Sequence, residues 1–174
     1  RAARLAVAVA VLAATGLLAA SAVAKDQSER SLGTLNQRVL VALNRFRVTH
    51  GLLPLRESEA LDSSAREHSL EMGRLGYFGH PSADAKSFWR RIGSYYPSDG
   101  HGYWSVGENL LWRSPSVSAG RAMEMWIASP EHLRNLLATR WRRIGISAVR
   151  VAHAPGVFHG LPVTIITTDF GVRR

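Results

Sequence analysis

Three short segments each set a group able to bind a metal or move a proton beside a glycine or a proline. GYFGHP carries His80, VGENL carries Glu108, and SPEHLRN carries His132. Two neutral imidazoles and one carboxylate form a ligand set that Zn²⁺ accepts, with water at the open position. The cofactor implied is Zn²⁺ or another divalent cation. The same three groups could instead exchange protons with a bound substrate. Glu108 is the most demanding of the three. It precedes the apolar run Leu110, Leu111, Trp112, and a carboxylate entering a buried strand is costly unless something pairs with it.

Other polar and aromatic residues have simpler expectations. His68 falls on the apolar stripe of a helix and is expected as a satisfied core histidine. His101 lies in a Gly-rich loop, and His50, His153 and His159 lie in turns. The five tryptophans are expected as core or as walls of a cleft, and Asn109 as a residue whose amide orients the backbone around Glu108. The chain has no G-x-S-x-G elbow, no P-loop, no Rossmann glycine pattern, no H-E-x-x-H and no N-x-[ST] sequon. With no cysteine, a cysteine nucleophile and a disulfide framework are both excluded.

The groups must be positioned by a single domain, since 174 residues argue for one. Residues 1–24 read as a signal peptide. Arg1 and Arg4 supply a basic start, Leu5 to Ala20 an apolar stretch, and Ala22 to Ala24 an A-x-A cleavage site. A retained membrane anchor is the alternative for this segment. Residues 25–30 form a short polar leader, and residues 31–174 the folded domain. The expected location is therefore secreted or at the cell envelope, with no transmembrane segment after cleavage and a monomeric chain. The formal charge of +9 comes almost wholly from arginine. Because the arginines are spread along the chain, they are expected on solvated faces rather than as a nucleic-acid footprint.

Hydrophobic periodicity outlines the elements. Leu32, Leu35, Val39, Leu43 and Phe46 step as the stripe of an amphipathic helix that Gly51 and Pro54 end. Leu61, Ala65, His68, Met72 and Leu75 mark a second helix. Ser87 to Gly93 reads as a short helix with Phe88 and Ile92 inward, and VGENLLW as a strand. Ser116 or Ser118 caps a helix running to about Ile127, with Val117, Met123, Trp126 and Ile127 on its inner face. Ser129 and Pro130 open another short helix. RIGISAVRVA and LPVTIITTDFG, joined by a turn in HAPGVFHG, read as an antiparallel hairpin. Helices segregated from an antiparallel sheet indicate an α+β fold.

Several segments together resemble the CAP superfamily, the cysteine-rich secretory, antigen 5 and pathogenesis-related 1 group, in its bacterial single-domain (SCP-like) form. They are LNRFRVTHGLLPL, AREHSLEM, GYFGH, VGENLLW, WIASPEHLRNLL, WRRIGIS and TTDFG, in the expected order across residues 31–174. The resemblance implies a three-layer α-β-α sandwich with a central antiparallel sheet. It also implies a cleft lined by two His and two Glu, matched here by His80, Glu108 and His132. Relatives with a W-Y-x-E pattern carry Glu where this chain has Ser129, with Glu131 two residues on. What the resemblance implies for function is a binding module with a divalent-metal-capable cleft, its ligand a small molecule, a lipid or a cell-envelope component. The alternatives are a metal-dependent hydrolase using His80, Glu108 and His132, with Glu131 as a base, and an extracellular carrier of lipid or sterol with an apolar groove between helices.

Overall fold

A computed structural model describes residues 33–174. The expected signal peptide, the polar leader and Leu32 lie outside the described residues. Within them, helix α1 (33–49) is followed by β1 (Arg56–Glu57), α2 (Glu59–Leu75), α3 (Phe88–Tyr95), β2 (Trp104–Arg113), α4 (Ala119–Ile127), α5 (Pro130–Leu137), β3 (Arg143–Val151) and β4 (Val163–Arg173). A 3-10 turn, Gly156–Phe158, joins β3 to β4.

The sheet order is β1-β3-β4-β2. β4 lies between β3 and β2 and is antiparallel to both, while β1 adds a two-residue parallel pairing to β3. That short strand has no alternating pattern long enough to announce it. β2 is an edge strand, so its outer side is open to loops from both layers.

Strand alternation sorts the core into two layers. One face carries Leu111, Ile144, Ile146, Ala148, Ile166, Phe170 and Val172. It packs with Val39 and Leu43 of α1, Ala122 and Trp126 of α4, Leu136 of α5, and Trp141. The other face carries Glu108, Leu110, Gly145, Ile165 and Asp169 and is covered by α2. α2 approaches so closely that a Cβ on Gly145 would lie 2.0 Å from the Leu61 carbonyl carbon. The outcome is the expected sandwich, helices on both sides of one sheet.

Helix ends follow local chemistry. α2 stops at Gly76, which is left-handed (φ 73°) and donates its N–H to the Met72 carbonyl. Ser118, rather than Ser116, caps α4 by accepting from the Arg121 N–H at 3.2 Å. Ser129 occupies the N-cap position of α5, but its hydroxyl bonds nothing there. Two positions expected inward turn outward. Leu75 is 61% exposed because the drift of a 3.6-residue period places Gly73 and Gly76 inside instead. Ile127 is 38% exposed because its neighbour Trp126 takes the inward position. Trp126 and Trp141 are core, as expected, whereas Trp89 is half exposed and meets Phe88 edge-on.

Candidate functional site: a buried carboxylate and an open groove

Glu108 is brought to the edge of the sheet by β2 and points to the α2 side. Its Oε1 lies 2.7 Å from His80 Nδ1. Its Oε2 accepts from the Arg91 guanidinium. Glu108 and Arg91 are both buried, whereas the His80 side chain is about half exposed (49%). The glycine-proline turn GHP explains how a loop histidine reaches a strand carboxylate, and Arg91 explains why the loop stays. One guanidinium nitrogen of Arg91 donates to the His80 carbonyl at 3.0 Å and to Ser82 Oγ at 3.1 Å, while the other holds Glu108. A single buried cation therefore ties the loop of residues 79–82 to the edge strand.

His68 lies behind this pair, wholly buried. Its Nε2 bonds to the Gly79 carbonyl at 2.9 Å and is 4.0 Å from Glu108 Oε2. Burial pushes its pKa below the ordinary histidine value, against the pull of Glu108. It is the satisfied core histidine expected from its helical position. Tyr77 lies 3.5 Å from His68 Nδ1 and donates to Glu71. Directly across the strand pair from Glu108 is Asp169, on the same face. It is wholly buried, and among the described residues neither carboxyl oxygen has a partner in good hydrogen-bond geometry, with Ser64 and Glu108 as its polar neighbours. Burial first, then the neighbouring Glu108, pushes its pKa well above the ordinary carboxyl value, against the lowering effects of Ser64 and Arg91.

His132 arrives from α5, in the opposite layer. Asn109, the residue after Glu108, points to that layer and donates to the His132 carbonyl at 3.1 Å. Asn135 donates to the Glu108 carbonyl at 3.0 Å and to Asn109 Oδ1 at 2.9 Å. The Asn109 amide therefore ties β2 to α5, and the backbone at Glu108 is held by Asn135 rather than, as expected, by Asn109. The His132 ring is close enough to His80 to be affected by its charge. Partial burial and that neighbour lower its pKa, while Glu131 raises it. No ion pair joins His132 to Glu108 among the described residues. His80 and Glu108 are directly paired, and His132 stands nearby but apart. Glu131 is exposed on the first turn of α5.

A divalent cation does not fit directly on the Glu108 carboxylate as it stands. Both Glu108 oxygens are already engaged, one of them by a guanidinium, and a second cation beside Arg91 would be repelled in a site of low dielectric. Among the described residues no group of three or more His, Cys, Asp or Glu side chains is arranged to hold a metal ion. Sequence reasoning missed Arg91 and Asp169. The signal for Arg91 was its spacing, since positions 88, 91 and 92 share one helical face and two of them are apolar. The signal for Asp169 was a lone acid inside an apolar, β-branched strand.

The Cysteine-rich secretory protein family model matches residues 40–161, well over half of the chain. The chain belongs to the CAP family. Among curated proteins this CAP domain is similar to YkwD of Bacillus subtilis (strain 168), 29% identical over 119 residues. That match covers 68% of this chain and 44% of YkwD. It is also similar to the membrane protein YlbC of the same strain, 27% identical over 135 residues, covering 77% of this chain and 37% of YlbC. The chain thus spans less than half the length of these relatives. Among solved structures, an extracellular SCP-domain protein from Bacillus anthracis str. Ames superposes with a TM-score of 0.66 at 22% identity, covering 86% of this chain and 43% of that one. An outer surface protein from Borrelia burgdorferi superposes with a TM-score of 0.60 at 20% identity, covering 78% and 90%. At such identities the likeness establishes the fold alone.

The CAP domain also has a concave region whose lining includes none of His80, Glu108 and His132. A groove of about 630 Å³ runs between α1 and α4. Val41, Ala42, Phe46, Met123 and Ile127 supply its apolar lining, and Arg38 and Arg45 lie on its border. Val41 is 66% exposed, so this lining is open to water. No helix among the described residues is long and apolar enough to cross a membrane.

Proposed function

We propose that this CAP domain works outside the cytoplasm as a binding module whose ligand has an apolar tail and an anionic head, a fatty acid or a lipid of that kind. The groove between α1 and α4 carries this proposal. Its volume falls within the 300–1,000 Å³ of small-molecule sites, and its lining is apolar with few charged groups, as such sites are. Arg38 and Arg45 are seven residues apart on α1, about 10 Å along one helix face. A carboxylate head held by either would leave its tail over Val41, Phe46, Met123 and Ile127. Covering those side chains removes apolar surface from water, the main driving force for such a contact. An extracellular location is supported by the signal-like N-terminal segment and by the extracellular and outer-surface proteins that share the fold.

The Glu108 cluster takes a structural part in this proposal. It fixes the loop of residues 79–82 and the edge strand, and the groove is lined by other residues.

The test is titration of the full chain with cis-parinaric acid, a fluorescent fatty acid. The expected result is saturable binding by the native chain and at least ~10-fold weaker binding by Val41→Glu, a loss of about 1.4 kcal/mol or more. Arg45→Glu should bind several-fold more weakly, with a shallower dependence on salt. His80→Ala should bind as the native chain does. Equal affinity of the native chain, Val41→Glu and Arg45→Glu would sink the proposal.

A further inference from the structure

We infer that the guanidinium of Arg91 holds the place that a divalent cation would take at Glu108, so that the cation of this cleft is built into the chain. This inference concerns the cleft and is independent of the proposal for the groove.

Three observations support it. First, Arg91 is buried to 3% exposure and its charge meets the buried Glu108 carboxylate directly. A buried carboxylate needs a positive partner, and the partner is supplied by α3. Second, Arg91 does the organising that a metal would otherwise do. It binds the His80 carbonyl, Ser82 Oγ and Glu108 at once, joining a loop to a strand through one centre. Third, His80 is turned so that its Nδ1 faces Glu108 at 2.7 Å. In that geometry Glu108 orients the ring as a hydrogen-bond partner, and only Nε2 is left free. His132 makes no ion pair with Glu108 among the described residues, no group of three or more ligands is arranged there, and His68 Nε2 is committed to the Gly79 carbonyl. The lysine-poor, arginine-rich composition suits this use. A planar fork can hold two carbonyl or hydroxyl oxygens on one arm and a carboxylate on the other, which a lysine ammonium does less well.

The consequence is a prediction of gain. Removing the guanidinium frees Glu108 Oε2 beside the half-exposed ring of His80. Zn²⁺ should then enter where the native chain refuses it.

The experiment compares the full, untagged chain with Arg91→Gln and Arg91→Met. The second variant keeps most of the apolar stem packed. Each is first checked for folding by circular dichroism, then melted with and without Zn²⁺ and titrated with Zn²⁺ by calorimetry. The expected result for the native chain is no Zn²⁺ binding that depends on His80. For at least one Arg91 variant it is one-to-one binding that raises the melting temperature by about 5–10 °C at a hundredfold excess over Kd. The gain should vanish when His80→Ala is added. Tight Zn²⁺ binding by the native chain that His80→Ala abolishes would overturn the inference. So would folded Arg91 variants that gain nothing. Variants that stay unfolded at every Zn²⁺ concentration would overturn it too, because a cation filling the same place should restore them.

Discussion

The CAP domain buries two arginines among its described residues, one on each side of the sheet, and they are treated differently. Arg91, on the α2 side, meets a carboxylate. Arg47, at the end of α1 on the other side, meets backbone. Its Nη1 donates to the Leu136 and Ala138 carbonyls at 2.7 and 3.1 Å, and its Nε to the Leu53 carbonyl at 3.0 Å. Two of those carbonyls lie at the C-terminal end of α5, the negative end of a helix dipole. Arg47 is thus absorbed into the architecture, wholly buried and with no acid or histidine partner among the described residues. Arg91 ends a chain of groups that reaches water through His80. Burial of a charge does not by itself mark a site. A buried charge linked to a half-exposed titratable ring has a surface through which it can act.

The sharpest way to test how differently the two layers are built is to add one methyl group to each. On the α2 side a Cβ at position 145 would lie 2.0–2.4 Å from backbone atoms of Leu61 and Asp62, which cannot swing aside. On the other side a Cβ at position 107 would lie 2.7 Å from Cζ2 of the Trp141 ring, and a side chain can shift where a backbone cannot. Gly145→Ala is therefore expected to cost more than about 4 kcal/mol or to prevent folding, and Gly107→Ala about 2 kcal/mol. Chemical denaturation of both variants checks this. Equal costs would mean that α2 is no more tightly seated than the opposite layer.

The second test removes Arg47. Arg47→Met keeps the apolar stem but leaves the Leu53, Leu136 and Ala138 carbonyls without that donor. The expected loss is about 2–3 kcal/mol, read as a lower denaturation midpoint at unchanged slope. Because no acid or histidine partners Arg47, the loss should be the same at pH 5.5 and pH 8. A loss that varies with pH would show that Arg47 is coupled to a titrating group after all, and the contrast with Arg91 would fall.

Much of the frame was legible because it is written in periodicity. Val39, Leu43, Leu61, Ala65 and Met72 are buried as their spacing requires, and the β3–β4 hairpin follows from two β-branched runs around a turn. That His80 and Glu108 share one site was legible through the family resemblance, and glycine and proline beside the histidine place it on a turn rather than in a helix. The guanidinium between them was not. Arg91 follows Arg90 in what reads as a solvated pair, and only contact with a strand 17 residues away reveals which of the two turns inward. Asp169 was hidden for a related reason. Register across β2 and β4, a property of two strands together, is what sets it opposite Glu108. Periodicity within one segment reports a face, whereas the identity of the facing group comes from another segment.

The smallest expected effect concerns a third carboxyl on the α2 side, and it sharpens the contrast between acids that have a cation and those that do not. Asp62 lies in the first turn of α2, where its Oδ1 accepts from the Ile146 N–H at 2.7 Å. Burial pushes its pKa up to about 6, and the nearby Glu57 and Glu59 add to the rise, against the lowering effect of that hydrogen bond. A carboxyl raised in the folded state binds more protons than the same group in the unfolded chain between about pH 4 and pH 6. Stability must therefore fall as pH rises through that window, and the penalty is complete above it. Two pKa units would correspond to about 3 kcal/mol. Asp62 is only partly buried and solvent screens it, so about 1 kcal/mol is expected. Asp62→Asn keeps an oxygen for the Ile146 N–H and removes the charge. It should be more stable than the native chain at pH 7 by about that amount and indistinguishable below pH 4. Urea denaturation at pH 3.5, 5 and 7 reads the difference directly. A variant less stable at pH 7 would mean that the ionised Asp62 has a cation of its own, as Glu108 has Arg91.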